Sequence, residues 1–203
     1  MTELSPPTPT PTPPDRRKHV QPWWQPPEDG VPAILPIVAP IVRTSTAALT
    51  LVGAHVYREG VELLLERRMR RWGETDDEWQ AKIREFLQTP DKPAVPGGTE
   101  SLQYSIITGG EEVFANSLFR GLADVNEKPS SLSVMHTGSG ASGDPWLCKS
   151  SEGLWLWTMP TVDHLELVVR WPAVGVSVAS IFVQIAQLEE MSQRSSLLWE
   201  TTP

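Results

Sequence analysis

The sequence predicts a mainly β protein. The expected architecture is an antiparallel β-sandwich, with an immunoglobulin-like arrangement as one candidate, plus one inserted helix and a C-terminal helix. Apolar and polar side chains alternate in about eight short runs between Thr46 and Val183, and turn signals separate the runs. Such alternation is typical of antiparallel strands that bury one face. Strand–helix–strand repetition is missing, so a doubly wound fold is not expected.

The clearest strand pair is a hairpin in the first half of the chain. Residues 49–57 alternate and predict one strand, Glu59-Gly60 signals a turn, and residues 61–65 predict the antiparallel partner. Simple alternation puts His55 on the face of the first leucines, where it would be a core or rim histidine.

Two helices are expected. Residues 75–88 follow a helical period, and Thr75 with Glu78 forms a capping-box pattern. This helix should pack one apolar stripe on the sheet. Near the C-terminus, residues 176–183 predict a strand and residues 186–198 predict a helix.

Other strands are expected at 102–106, 112–118, 132–136, 154–158 and 165–171. A long flexible loop is predicted from Gly138 to Pro145. Its glycines have the spacing of a GxGxxG phosphate-binding motif. No helix is expected after them to bind the phosphate with its N-terminus, so a loop is favoured over a phosphate site.

The chain divides at about residue 30. Residues 1–30 hold nearly half of the 20 prolines and predict a disordered, proline-rich tail. Residues 31–203 are expected to form a single β-sandwich domain. Trp23 and Trp24 are adjacent indoles in the tail, and we expect them to dock, with their own domain as the first target.

Composition indicates which partners and compartment to expect. A net charge of −8 argues against general nucleic-acid binding. The single cysteine suits a reducing cytosol. Residues 6–14 are proline-rich where a secretory signal would need an apolar core. Prolines also interrupt the most apolar stretch, residues 31–56, so neither a membrane span nor membrane association is expected. We therefore expect a cytoplasmic protein.

Two groups of residues are candidate binding surfaces. Trp155 and Trp157 share a strand face and would either fill the core or form an exposed aromatic platform. The second group is a cluster of arginines in which alternation places Arg68 and Arg70 on the outer face. This cluster either lies on a solvated strand or protects an edge strand against aggregation, or it binds an anion or acidic partner. It consists of Arg67, Arg68, Arg70 and Arg71.

Few residues could support catalysis or bind a metal. His136, Cys148, Asp163 and His164 are the only candidates, and none stands in a metal-ligand pattern. Asp163-His164 falls in a predicted hairpin turn. No metal site, cofactor or catalytic residue is predicted, although Cys148 with His136 or His164 is kept as an alternative nucleophile pair.

Two segments resemble a family of small uncharacterised actinobacterial proteins. The first runs from Arg43 to Arg71 and includes Gly53, Tyr57 and Gly60. The second has the pattern WxWxxP at 155–160, then WPxxG at 171–175 and LW at 198–199. Thr158 stands where that family usually has proline. The family has no assigned activity, so the resemblance implies a fold and domain limits, including a strand followed by a helix at the C-terminus, and no substrate.

Three functions follow as hypotheses. The first is a non-enzymatic protein–protein interaction module or accessory subunit, because no acid–base set converges and the chain is rich in aromatic side chains. The second is a hydrolase-type enzyme that uses Cys148 with a histidine. The third is a structural component of a larger assembly, tethered by the N-terminal tail.

Overall fold

The computed structural model describes residues 21–87, 102–115, 127–160 and 164–199. These residues form twelve strands and two α-helices, α1 (Asp76–Phe86) and α2 (Ile185–Ser192). The strands are β1 (Gly30–Val31), β2 (Ala33–Leu35), β3 (Ala39–Arg43), β4 (Ala47–Val56), β5 (Gly60–Arg70), β6 (Gln103–Thr108), β7 (Glu111–Phe114), β8 (Ser133–Gly143), β9 (Leu147–Trp157), β10 (His164–Trp171), β11 (Val176–Gln184) and β12 (Ser196–Leu197).

The strands form two main sheets and a small ribbon. The larger sheet has the order β2-β4-β5-β9-β8, and β3 also pairs with β4. The smaller sheet has the order β11-β10-β6-β7, and β1 pairs with β12. Every pairing is antiparallel. Side chains from both main sheets, such as Leu63 and Leu167, share one buried core. The predicted mainly β antiparallel sandwich is confirmed.

A β-bulge in β4 changes which residues face the core. The register skips from Leu51 to Gly53 opposite consecutive residues of β5, so Val52 is an extra residue. Beyond it, Ala54 and Val56 are buried and His55 points to the outer face. The prediction that His55 shares the face of the first leucines is therefore wrong, because simple alternation cannot include an inserted residue.

The predicted loop from Gly138 to Pro145 is also wrong. Most of it is the second half of β8, which pairs with β9 along its length. The turn is confined to the residues around Pro145, where Asp144 Oδ1 accepts hydrogen bonds from the backbone N–H of Trp146 at 2.7 Å and Leu147 at 2.8 Å. Glycine and serine are typical of loops, but here the segment forms a strand because β9 supplies hydrogen-bond partners for its backbone groups. Strand β9 accordingly starts at Leu147, well before the predicted start at residue 154.

Helix α1 begins as the sequence predicts. Thr75 Oγ1 accepts a hydrogen bond from Glu78 N at 3.4 Å, and Glu78 Oε2 accepts one from Thr75 N at 2.9 Å. Trp79 and Phe86 are buried on its apolar side. The Phe86 ring lies 6.3 Å from that of Trp171 on the smaller sheet. The expected helix with one buried stripe is confirmed.

The C-terminal helix is shorter than predicted. Residues 176–183 form the expected strand, but α2 ends at Ser192 and the predicted end at residue 198 is wrong. The helical stripe fails there because Ser196 and Leu197 pair with Val31 and Gly30 instead. His164 is the first residue of β10, opposite Gln184, and does not lie in a turn.

The segment before residue 31 packs on the domain. Trp23 is only 6% exposed, and its backbone carbonyl accepts a hydrogen bond from Trp155 Nε1 at 2.8 Å. Residues 21–30, predicted as part of the tail, therefore lie on the folded domain. The first 20 residues of the predicted tail, Asp163 and the end of the predicted 112–118 strand lie outside the described residues.

Candidate functional site

A row of basic residues crosses the outer face of the larger sheet. In the strand register, Arg43 stands opposite Ala48, Ala48 opposite Arg68, and Arg68 opposite Lys149. Their immediate neighbours, including Val42, point into the core, so the basic side chains point outward. Neighbouring strands are about 4.8 Å apart. Three cations from distant parts of the sequence therefore lie within one short row, and Arg70 follows two residues beyond Arg68.

One carboxylate partly neutralises this row. Glu66 contacts Arg68 Nη2 through Oε1 at 2.5 Å, and its Oε2 pairs with Lys149. Burial opposes the charged form, but the hydrogen bonds from Lys149 and Arg68 outweigh it and lower the pKa of Glu66. No carboxylate among the described residues pairs with Arg43 or Arg70. We call Arg43, Arg68, Arg70 and Lys149 the basic face.

Exposed aromatic residues border the basic face. The Arg70 guanidinium lies 4.9 Å from the ring centroid of Trp72, and that of Arg71 lies 5.6 Å from Trp146. Trp72 is 67% exposed and Trp146 is 69% exposed. The sequence reasoning missed both tryptophans. Trp72 lies in a connecting segment and Trp146 in a hairpin turn. A large apolar side chain in such a place has little to pack against, and this could have indicated that both are exposed.

A groove of ≈ 620 Å³ opens beside this border, between α1 and the β8–β9 hairpin. Arg71 lies on its rim, paired with Asp76 at 2.8 Å. Its apolar wall comes from α1, and its other side comes from the ends of β8 and β9. Its lining includes Trp79, Ile83, Leu87, Ala141, Gly143 and Cys148.

Cys148 is a buried residue of this groove. It is 2% exposed, and burial raises the pKa of its thiol, which disfavours a reactive thiolate. His136 stands opposite Leu154, six residues along β9 from Cys148, which corresponds to about 20 Å of extended chain. His164 lies on the smaller sheet, with its ring 5.6 Å from Phe182. The structure does not bring the predicted nucleophile pair together.

Trp155 occupies a place that neither sequence interpretation foresaw. It points to the outer face of the larger sheet, yet it is only 1% exposed, because Trp23 covers it. Its Nε1 donates a hydrogen bond to the backbone carbonyl of Trp23 at 2.8 Å, and its ring meets that of Tyr57 at 5.6 Å. Trp155, Trp23, Tyr57 and Met135 form the Trp155 cluster.

The remaining predicted tryptophans lie around this cluster. Trp24 meets Trp23 edge-on at 6.4 Å. Trp157 is partly buried, with Lys128 Nζ 5.1 Å from its ring centroid. Trp155 itself offers no accessible ring to a partner. Of the residues predicted as a binding surface, Arg68 and Arg70 are the two that stand exposed together.

Two glycines make room for side chains on the outer face of the larger sheet, Gly60 for Trp155 and Gly153 for Thr137 and Glu62. A Cβ on Gly60 would lie 2.8 Å from the Trp155 ring and 2.3 Å from the Leu156 carbonyl oxygen. A Cβ on Gly153 would lie 2.0 Å from Thr137 Oγ1, which donates a hydrogen bond to Glu62 at 2.6 Å. Side chains from neighbouring strands can lie across Gly60 and Gly153 only because glycine has no side chain.

An ion pair is buried between the sheets. Arg67 Nε lies 2.7 Å from Glu152 Oε1, and Tyr104 donates its hydroxyl to the same oxygen at 2.5 Å. Burial raises the pKa of Glu152, although Arg67 and Tyr104 oppose that effect. The sequence reasoning grouped Arg67 with its solvated neighbours, but it points inward. The edge-strand interpretation of the arginine cluster is also wrong, since β5 lies between β4 and β9.

Comparison with known proteins gives no identification: no protein-family model, curated protein or solved structure matches the chain. Within the described ranges, neither helix combines the length and apolarity needed to cross a bilayer. In the same residues, no three His, Cys, Asp or Glu side chains are grouped to hold a metal ion.

Proposed function

We propose that this chain is a non-enzymatic protein–protein interaction module or accessory subunit of the cytoplasm, and that its partner docks on the basic face. The observation that carries the proposal is the register of the larger sheet, which gathers Arg43, Arg68 and Lys149 into one row. This row stands in a chain whose net charge is −8. Such local charge separation steers an acidic partner to one side of a molecule that otherwise repels it.

The chemistry of the basic face suits carboxylates. A guanidinium presents a planar fork that binds a carboxylate through two parallel hydrogen bonds. Arg43 and Arg70 have no described acidic partner within the molecule, so they are available without breaking an existing ion pair. Because the residues project from paired strands, their backbone is already ordered, and binding costs little backbone conformational entropy.

The neighbouring tryptophans supply the apolar part of the surface. Interfaces draw most of their binding energy from a few tryptophan, tyrosine and arginine side chains. Trp72 and Trp146 lie beside Arg70 and Arg71 and remain largely exposed. We therefore expect a partner that combines acidic residues with at least one apolar anchor.

An acidic protein fits better than a nucleic acid. Binding to a phosphate backbone needs many cations, and its affinity falls steeply with salt in proportion to their number. The basic face has four cations with one carboxylate among them, and the rest of the chain is acidic.

The proposal is tested by affinity capture from the native host with the full chain. The variant pair Arg68→Glu/Arg70→Glu should lose the captured partner. The control pair Arg58→Glu/Arg194→Glu makes the same charge change at exposed positions away from the basic face and should retain it. A partner captured equally by both variants, or one that proves to be nucleic acid, would refute the proposal.

A further inference from the structure

Strand β8 forms one edge of the larger sheet. It pairs with β9 on one side, and no strand in the described part of the chain pairs with its other side. From Gly138 to Gly143 the edge is built only of glycine, serine and alanine, and the residues with described side chains are exposed. A Cβ added at Gly138 or Gly140 would meet nothing within 4 Å. Backbone N–H and C=O groups along such an edge are open to a further strand.

Proteins usually protect an edge like this one. Charged side chains, prolines or covering segments are the common devices. The edge from Gly138 to Gly143 carries neither charge nor proline. An unprotected edge on a folded domain is therefore a feature to be explained, and strand addition is a known way in which such edges bind partners.

The two sides of this edge differ in chemistry. Ser142 stands opposite Lys149 and so extends the row of the basic face. Ala141 and Gly143, its neighbours, line the groove beneath α1. Trp79, in the same groove, has an indole Nε1 that is buried without a hydrogen-bond partner among the described residues. One side of the edge is thus cationic, and the other is mainly apolar.

We propose that an extended segment of the partner adds to β8 along Gly138–Gly143, with apolar and acidic residues in alternation. Successive side chains of a strand point to opposite faces. One set enters the groove against Ile83 and Leu87, and the other lies on the outer face. On the outer face, the added strand lies about 10 Å from β9. The side chain of Lys149 and that of a glutamate on the added strand together span this distance. This inference rests on the proposed function and names its binding mode.

A second copy of this chain does not meet these requirements. If two β8 edges paired with each other, the incoming strand would bring only small, uncharged side chains. The groove would stay unfilled, and the two basic faces would extend one continuous sheet, where like charges repel. Self-association is consequently an outcome that the test must be able to show.

The test uses the full chain and a labelled peptide of eight residues that alternate glutamate and valine. One control peptide has the same composition in two blocks, and another is N-methylated at alternate residues so that one of its edges cannot donate hydrogen bonds. We expect the parent peptide to bind, and each control to bind about tenfold more weakly or worse. Hydrogen exchange of the 138–143 amides that point away from β9 should slow only in the presence of the parent peptide.

Protein variants separate this inference from the proposed function. Leu87→Ser, at the exposed rim of the groove, and Lys149→Glu should each weaken peptide binding, and Arg58→Glu should not. If the Lys149→Glu variant binds weakly but N-methylation has no effect, strand pairing is wrong and the basic face stands. If N-methylation abolishes binding but Lys149→Glu does not, strand pairing stands and the basic face is wrong.

Other outcomes overturn the inference outright. These are protection, in the free protein, of the 138–143 amides that point away from β9, protection on another strand, and no binding of the parent peptide at millimolar concentration. Protection that appears with protein concentration in the absence of peptide would assign the edge to a second copy.

Discussion

The indole Nε1 of Trp155 donates a hydrogen bond to the backbone carbonyl of Trp23 at 2.8 Å, although the two residues are 132 positions apart in the sequence. Through this contact the segment 21–30 covers the part of the outer face around Trp155. Tyr57 and Met135 complete the enclosure. The segment is therefore part of the fold, and its tryptophan side chain should contribute to stability as a core residue does.

Trp23→Ala should destabilise the protein by about 3 kcal/mol, because it removes a buried indole and leaves a cavity over Trp155. Urea unfolding followed by circular dichroism measures this. Trp199→Ala is the control, since Trp199 is 67% exposed and its loss should cost about 0.5 kcal/mol or less. Equal effects of the two substitutions would mean that the segment does not hold its place in solution.

Gly60→Ala should lower the stability by about 2 kcal/mol or more, because the added methyl group meets the Leu156 carbonyl oxygen at 2.3 Å and cannot move aside. Gly140→Ala places the same methyl group in open space and should change the stability by about 0.5 kcal/mol or less. Thermal melts of both variants make the comparison. A well-tolerated Gly60→Ala would contradict the crossing of the Trp155 ring over this position.

Neither of the chain's two tyrosines should ionise near pH 10 in the folded protein. Burial, with the nearby Glu62 carboxylate, raises the pKa of Tyr57 to about 12. Burial also raises the pKa of Tyr104 well above its usual value, and the Glu152 charge adds to the effect. The unfolded chain ionises at about pH 10, so stability should fall as the pH rises from about 10 towards 12.

Tyrosinate absorbance during alkaline titration measures this directly. In Trp23→Ala the pKa of Tyr57 should move back towards 10, because the ring loses part of its cover, and that of Tyr104 should stay high. A wild-type protein that shows two tyrosinates by about pH 10.5 would be inconsistent with the burial of both rings.

Arg67→Met should destabilise the protein by about 3 kcal/mol or more, because it leaves Glu152 buried without its cation. Arg68→Met, at the next position of the same strand, removes an exposed ion pair and should cost about 1 kcal/mol or less. Chemical denaturation near neutral pH tests both. If the arginine at 68 matters more than that at 67, the assignment of inner and outer faces of β5 is wrong.

The pH dependence of Arg67→Met gives an independent check. Since the pKa of Glu152 is raised in the fold, its carboxyl group holds a proton at a pH where the unfolded chain has lost it, and stability falls as the pH rises through that interval. Removing Arg67 raises the folded pKa further, so the fall should extend to higher pH. An unchanged stability profile would indicate that the ion pair is not formed.

Local signals in the sequence predicted the elements that depend on local chemistry. The capping box at Thr75 placed α1 correctly, and alternation placed Arg68 and Arg70 on the outer face of β5. Alternation failed at His55 because the bulge at Val52 is created by pairing with β5. It failed again in residues 138–143, where a neighbouring strand holds residues that favour loops.

The basic face could not be predicted from the sequence alone. Arg43, Arg68 and Lys149 come from three strands, and only the register of the folded sheet places them side by side. The Trp155 cluster likewise joins residues that are far apart in the sequence, from Trp23 to Trp155. The immunoglobulin-like arrangement and the resemblance to the actinobacterial family stay predictions.

The ribbon of β1 and β12 has a consequence for the order of folding. Gly30 and Val31 pair with Leu197 and Ser196, and Asp29 accepts a hydrogen bond from the Leu198 backbone at 2.7 Å. On the ribosome, β1 is synthesised well before β12 and must wait for it before the two can pair. Until then the backbone groups of Gly30 and Val31 lack these partners, and a chaperone that binds extended chain could occupy the same edge.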